Sequence, residues 1–234
     1  MNLTSIKAPG GDAPIYTWDN PGPTVLVYMD GVGMRPAIRD VAAKIADHGY
    51  KVVMPDLFYR MGPYEPPKMA EMFANPDVMK AWWSKVSSIM TWDNIQADLA
   101  CWAKHIGTTF GVTGYCMGGR LAIVTAEQFP DQVLAAGAYH PGGLVTPEPH
   151  SPHVHVDQIK AKVYIGRAKE DANFTDEQKA TLVAAFDKAK VDYTIDDYDA
   201  KHGWVPADSP IHDEKEAARH FTTTFALFDS TLRA

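Results

Sequence analysis

Cysteine is nearly absent: Cys101 and Cys116 are the only two in 234 residues, too few for a disulfide framework in a chain this size. A chain of this length buries enough surface to fold without such staples. Positive charge is also short, with 22 Lys and Arg against 29 Asp and Glu and a net charge of −7. That balance excludes a nucleic-acid partner, because such binding rests on neutralising phosphates. No uncharged run approaches the length of a membrane span. The first ten residues, Met1 to Gly10, hold no apolar stretch of the kind a secretory signal needs. The expectation is a cytoplasmic protein with no membrane contact. Repeats, low-complexity tracts and linkers are missing as well, so residues 1–234 read as one domain.

What is present is ordinary for a globular chain: 46% hydrophobic and 22% charged residues. Apolar runs bounded by turn residues alternate with segments of helical period. Thr24 to Met29 reads as a buried strand entered through Asn20-Pro-Gly-Pro23. Pro36 opens a helix whose apolar positions Ile38, Val41, Ala42 and Ile45 share one face, and Gly49 ends it. Tyr50 to Met54, Phe110 to Thr113, Val133 to Ala136 and Lys162 to Ile165 are further short apolar strands. Val191 to Ile195 alternates instead, as an edge strand with one wet face does. Helices are expected from Trp92 to Lys104 behind Thr91, from Met117 to Gln128, and from the capping box at Thr175 to Gln178 through Lys188. Ser209-Pro210 is expected to start a last helix. This alternation is that of a mostly parallel α/β sheet with helices on both faces.

Residues 60–90 depart from it. They carry Pro63, Trp82, Trp83 and half of the ten methionines. Met and aromatic side chains suit an apolar ligand surface, so the segment reads as a lid or, alternatively, as ordinary packing.

The most informative stretch is Gly114-Tyr-Cys116-Met-Gly118-Gly119, between a strand and a helix. That is the context of a nucleophile elbow, a turn so sharp that small residues must flank its centre. The central side chain projects above the sheet beside the positive end of the following helix, and a cysteine there is suited to nucleophilic attack. Cys101 lies inside an amphipathic helix and reads as a packing residue. A nucleophile needs a base and an orienting acid. Asp171 follows the strand that begins at Lys162, and His202 follows the strand near Ile195. The order nucleophile, acid, histidine is that of α/β-hydrolase triads, and the slots lie at the sheet edge where such folds collect chemistry. His140 ends another strand and is a pocket candidate. His150, His153 and His155 lack metal-ligand spacing, so no metal is expected. Asp192, Asp196, Asp197 and Asp199 read as a solvated face.

Three motifs, Gly49-Tyr-Lys-Val-Val-Met-Pro-Asp-Leu-Phe-Tyr-Arg60, Gly114-Tyr-Cys-Met-Gly-Gly119 and Lys201-His-Gly-Trp204, together resemble the dienelactone hydrolase family. The resemblance runs from about Thr24 to Phe228. It implies the α/β-hydrolase fold, a triad on Cys116, Asp171 and His202, and an oxyanion hole from the backbone N–H groups of Met117 and Gly31. It also implies a small-molecule ester or lactone as substrate, with no cofactor and no metal, and sets no oligomeric state. Two positions depart from the family. Asp30 stands where the family has a thiol-activating glutamate. Pro206 stands where its best-studied members carry an arginine for the substrate carboxylate, leaving Arg35 or Arg60 as candidate substitutes. Two other readings stay open. A glutamine amidotransferase fits less well, given Arg120 and Gly203-Trp204; a non-catalytic binder or sensor that keeps the fold would accommodate Asp30 and Pro206.

Overall fold

The computed structural model describes residues 1–234. The strands are Asn2–Ala8 (β1), Gly11–Trp18 (β2), Thr24–Tyr28 (β3), Lys51–Pro55 (β4), Phe110–Tyr115 (β5), Val133–Tyr139 (β6), Lys162–Ala168 (β7) and Tyr193–Tyr198 (β8). The helices are Pro36–Asp47 (α1), Met69–Ala74 (α2), Pro76–Ile89 (α3), Trp92–Ile106 (α4), Met117–Gln128 (α5), Asp176–Ala189 (α6) and Glu214–Leu232 (α7). All eight strands form one sheet in the order β1-β2-β4-β3-β5-β6-β7-β8. β2 pairs antiparallel with both β1 and β4, and the rest of the sheet is parallel.

The inner strands explain why the apolar runs do not alternate. Every residue of β5 is buried, as are all but the first of β3, because helices cover both faces. β8 closes one edge and keeps a half-wet face. A single apolar core of 59 residues joins the layers.

The helix caps agree with the sequence in two places. Thr91 accepts from Asn94 N at the start of α4, and Thr175 and Gln178 cap α6 reciprocally. Two elements differ from expectation. The β1–β2 hairpin has no counterpart in the reading above, because β1 is exposed on most positions and so carries no apolar alternation. The last helix starts at Glu214, not at Pro210. Asp213 supplies the cap by accepting from Glu216 N at 2.9 Å, while Ser209 is buried in a preceding turn where its carbonyl receives His212 N. β6 and β7 also run several residues beyond their apolar cores, to Tyr139 and Ala168. That extra length delivers His140 and Asp171 to the C-terminal rim of the sheet.

Candidate active site

Cys116 joins β5 to α5 with φ 54° and ψ −115°, a left-handed-side conformation that costs a non-glycine residue energy and is held by its surroundings. The flanking glycines are required. A Cβ on Gly114 would stand 2.1 Å from the Gly118 carbonyl oxygen, and one on Gly118 would stand 2.3 Å from that of Met29. The turn therefore closes only because both positions lack side chains.

Asp171, in the loop after β7, and His202, in the loop after β8, meet beside this turn. His202 Nδ1 lies 2.7 Å from Asp171 Oδ2, and the other carboxylate oxygen accepts from Asn173 N at 2.8 Å and from Asn173 Nδ2 at 3.0 Å. Burial disfavours a charged imidazole. The Asp171 hydrogen bond and the attraction of the Cys116 sulfur outweigh it and push His202 up to about 10. Burial likewise works against the Asp171 carboxylate, but its partners hold it below the ordinary range. His140 packs edge-on to His202, with ring centroids 5.1 Å apart. It is fully buried, and burial first, then the neighbouring histidines, drives it well below the usual imidazole range, so it is neutral.

These groups share one cavity of about 500 Å³, whose wall includes Cys116, Met117, Gly31, Asp30, His140 and His202. Asp171 stands behind His202 and Asn173. The N–H groups of Gly31 and Met117 have no acceptor within the protein, so two donors are free at the wall beside Cys116. The 60–90 segment proves to be both lining and packing. Met69, Met72, Phe73, Met79 and Trp83 line the cavity, while Trp82 and Val86 are buried beneath. A groove of about 590 Å³ between α1 and α7, lined by Lys44, His48 and Phe225, contains none of the site residues.

Three sequence candidates take other parts. Arg35 is not on the cavity wall. It holds Asp30 through two hydrogen bonds of 2.7 and 2.8 Å, and also Asp208 at 2.7 Å. Asp30 does reach the wall, and both its oxygens accept hydrogen bonds from Arg35. Arg60 is bound to Asp98 at 2.7 Å, away from the cavity. Neither arginine is free for a substrate carboxylate.

The sequence reading named Trp82 and Trp83 in a segment suited to an apolar ligand surface but missed what they hold. Trp82 Nε1 donates to the Gly31 carbonyl at 2.8 Å, and Trp83 lies so close over Gly31 that a Cβ there would fall 2.2 Å from the ring. The unusual Trp82-Trp83 pair was visible, but its target, a loop some fifty residues earlier, was not. Asn173 and Arg120 are also on the wall; Arg120, four residues after the nucleophile, is signalled by helical spacing alone.

The remaining candidates have partners of their own. His150 stacks on Trp92, His153 meets Ser151 Oγ at 2.8 Å and His155 meets the Pro149 carbonyl at 2.9 Å. The acidic group is less free than a solvated face implies: Asp197 binds Arg167 and Lys179, and Asp196 binds Tyr164 and Arg219. Cys101 is half-buried in α4, with Sγ donating to the Lys7 carbonyl.

Several known proteins are similar to this chain. A carboxymethylenebutenolidase of Rhodococcus opacus is 32% identical over 147 residues, which cover 61% of this chain and 55% of that protein. The aligned part thus spans about half the length of that relative. A Salmonella typhi protein carrying the provisional name carboxymethylenebutenolidase is 28% identical across 92% of this chain and 82% of its own. A Klebsiella pneumoniae crystal structure, provisionally named a dienelactone hydrolase, superposes with a TM-score of 0.82 over 97% of both chains at 23% identity. At that identity the superposition speaks for the α/β-hydrolase fold. The sequence profile of the dienelactone hydrolase family matches residues 12–232. An elbow cysteine on an α/β-hydrolase sheet and a family match over nearly the whole length lead to one statement: the chain belongs to the dienelactone hydrolase family.

Proposed function

We propose that this protein hydrolyses carboxylic esters or lactones through a thioester on Cys116. The observation that carries the reading is that Cys116 sits at a strained elbow in the cavity it shares with His202, whose other ring nitrogen is held 2.7 Å from Asp171. Membership of the dienelactone hydrolase family and relatives named carboxymethylenebutenolidase support lactones within that class.

His202 takes the Cys116 proton, and the sulfur attacks the substrate carbonyl carbon. An S–C bond forms while the carbonyl becomes an oxyanion, which the Met117 and Gly31 N–H groups receive. Each such donor typically lowers the barrier by about 3–4 kcal/mol. The tetrahedral intermediate collapses with cleavage of the ester C–O bond, and the His202 proton passes to the leaving oxygen. In a lactone that oxygen stays tethered to the acyl group. Water, deprotonated by His202, then attacks the thioester and releases the acid, restoring the thiol. The contacts that raise His202, the Asp171 hydrogen bond first and then the Cys116 sulfur, favour the imidazolium that forms when the thiol gives up its proton. Asp171 fixes the tautomer that presents Nε2 to the cavity. Asp30 is assigned to the loop geometry with Arg35 and not to the thiol.

Hydrolysis of 4-nitrophenyl butyrate tests this. The Cys116→Ala variant is expected to lose turnover while keeping its fold by circular dichroism; turnover retained in that variant overturns the assignment.

A further inference from the structure

Four aspartates are buried, and three of them have a cation beside them: Asp30 pairs with Arg35, Asp98 with Arg60 and Asp171 with His202. Asp56, just after β4 and 8% exposed, has none. Its Oδ1 accepts from Phe58 N at 2.9 Å and from the Tyr64 hydroxyl at 2.8 Å. Its Oδ2 accepts from no group of the protein and is not sealed inside it. Burial raises this carboxyl above the ordinary range, because no counter-charge offsets the lost water.

Asp56 belongs to the wall of a separate pocket of about 370 Å³, between β2, the loop after β3 and the loop after β4. Tyr16, Tyr59, Tyr64 and Met34 line it, and its two ionisable acids are Asp56 and Asp12. No lysine, arginine or histidine is on its wall. In this it differs from the cavity of Cys116, which has Arg120, His140 and His202, and from the groove between α1 and α7, which has Lys44 and His48. Asp12 pairs with Lys7 at the exposed rim, where water screens both charges. Tyr16 and Tyr59 each carry one guanidinium, that of Arg39 at 5.3 Å and that of Arg60 at 5.1 Å from the ring centroid, and neither forms an ion pair with Asp56. The Tyr64 hydroxyl also accepts from Met34 N at 3.0 Å, so this ring and the carboxylate are already positioned relative to each other. Tyrosine rings attract cations through their negative faces, and a carboxylate attracts them by its charge. An apolar ligand would leave Oδ2 unpaired, and an anion would meet only acids.

We propose that this pocket binds a small protonated alkylamine. One ammonium N–H donates to Asp56 Oδ2, the charge lies among the tyrosine rings, and the alkyl stem packs on Met34 and Pro63. The pocket shares no wall residue with the cavity of Cys116, so the proposal stands or falls apart from ester hydrolysis.

Titration of the 15N-labelled protein with n-butylammonium chloride, followed by amide chemical shifts, tests this against n-butanol, a neutral molecule of similar length. Saturable shifts are expected at Met34, Tyr59 and Tyr64, with n-butanol binding at least about tenfold more weakly. Asp56→Asn keeps an acceptor for Phe58 N and Tyr64 and is expected to weaken butylammonium at least about tenfold, the size of a lost charged hydrogen bond. Tyr16→Leu, at a partly exposed ring, is expected to weaken it about threefold. Should Asp56→Asn fail to fold, the wild-type preference for butylammonium over n-butanol, together with Tyr16→Leu, decides the matter. No saturable binding to the wild type, shifts confined to the cavity of Cys116, equal affinity for n-butanol, or unchanged affinity in either folded variant overturns the proposal.

Discussion

The indole N–H of Trp82 donates to the carbonyl of Gly31 across 2.8 Å. Through that bond α3 holds the loop that carries Gly31 on the cavity wall shared with Cys116, and Trp83 lies over the same glycine. The segment that departs from the strand-helix alternation thus also pins one of the two proposed oxyanion donors.

Removing the pin is expected to act on the chemical step. Trp82→Phe keeps the ring and loses the donor. We expect kcat on 4-nitrophenyl butyrate to fall about tenfold, less than the loss of a whole oxyanion donor, with KM changed far less. Steady-state kinetics check this. A change confined to KM would mean that Trp82 shapes substrate binding and not the oxyanion loop.

The elbow glycines give a stability prediction. Gly118→Ala places a methyl 2.3 Å from the Met29 carbonyl oxygen, a backbone atom with no side-chain freedom to yield. Destabilisation above about 2 kcal/mol is expected, as for overpacking in a tight core. Urea denaturation measures it, and a variant within about 0.5 kcal/mol of wild type contradicts the geometry.

Arg35 and Asp30 form a buried pair, with side chains 7% and 6% exposed. Arg35→Met leaves the Asp30 carboxylate buried without its cation, and a loss of about 3–5 kcal/mol is expected. Denaturant unfolding of the variant reads this directly. A small loss, together with faster alkylation of Cys116, would instead show that Asp30 is free to act on the thiol.

The Asp171–His202 pair predicts a direction with pH. Folding raises His202 from its ordinary 6.5 to about 10, with Asp171 the first of the groups that overcome burial. The folded protein therefore binds the proton more tightly than the unfolded chain. The resulting stability is complete below about pH 6.5 and is lost as pH rises through about 10. Asp171→Asn removes most of it. The difference in unfolding free energy between wild type and Asp171→Asn is expected to shrink steadily from pH 6.5 to 10; a difference that is flat across that window contradicts the assignment.

Much of this was legible in the chain because local chemistry wrote it there. The Thr175 capping box, the α5 boundaries and the glycines around Cys116 follow from short-range sterics and hydrogen bonding. The slots of Asp171 and His202 follow from strand order. Other features depend on partners distant in sequence. Nothing near Arg35 announces that Asp208 helps to hold it, and nothing near Gly31 points to Trp82. The exposed β1 strand carries no pattern, since neither of its faces is buried deeply enough to require one. Ser209-Pro210 has the composition of a helix start, but the chain turns once more there, with His212 N donating to the Ser209 carbonyl, and Asp213 caps α7 instead.

The central claim is a covalent acyl group on Cys116, and intact-protein and peptide mass spectrometry of acid-quenched reactions with 4-nitrophenyl butyrate tests it most directly. The account predicts a butyryl adduct that maps to the peptide containing Cys116, is absent from Cys101, and does not form in the Cys116→Ala variant. An active wild-type enzyme that shows no adduct, or an adduct on another residue, would contradict it.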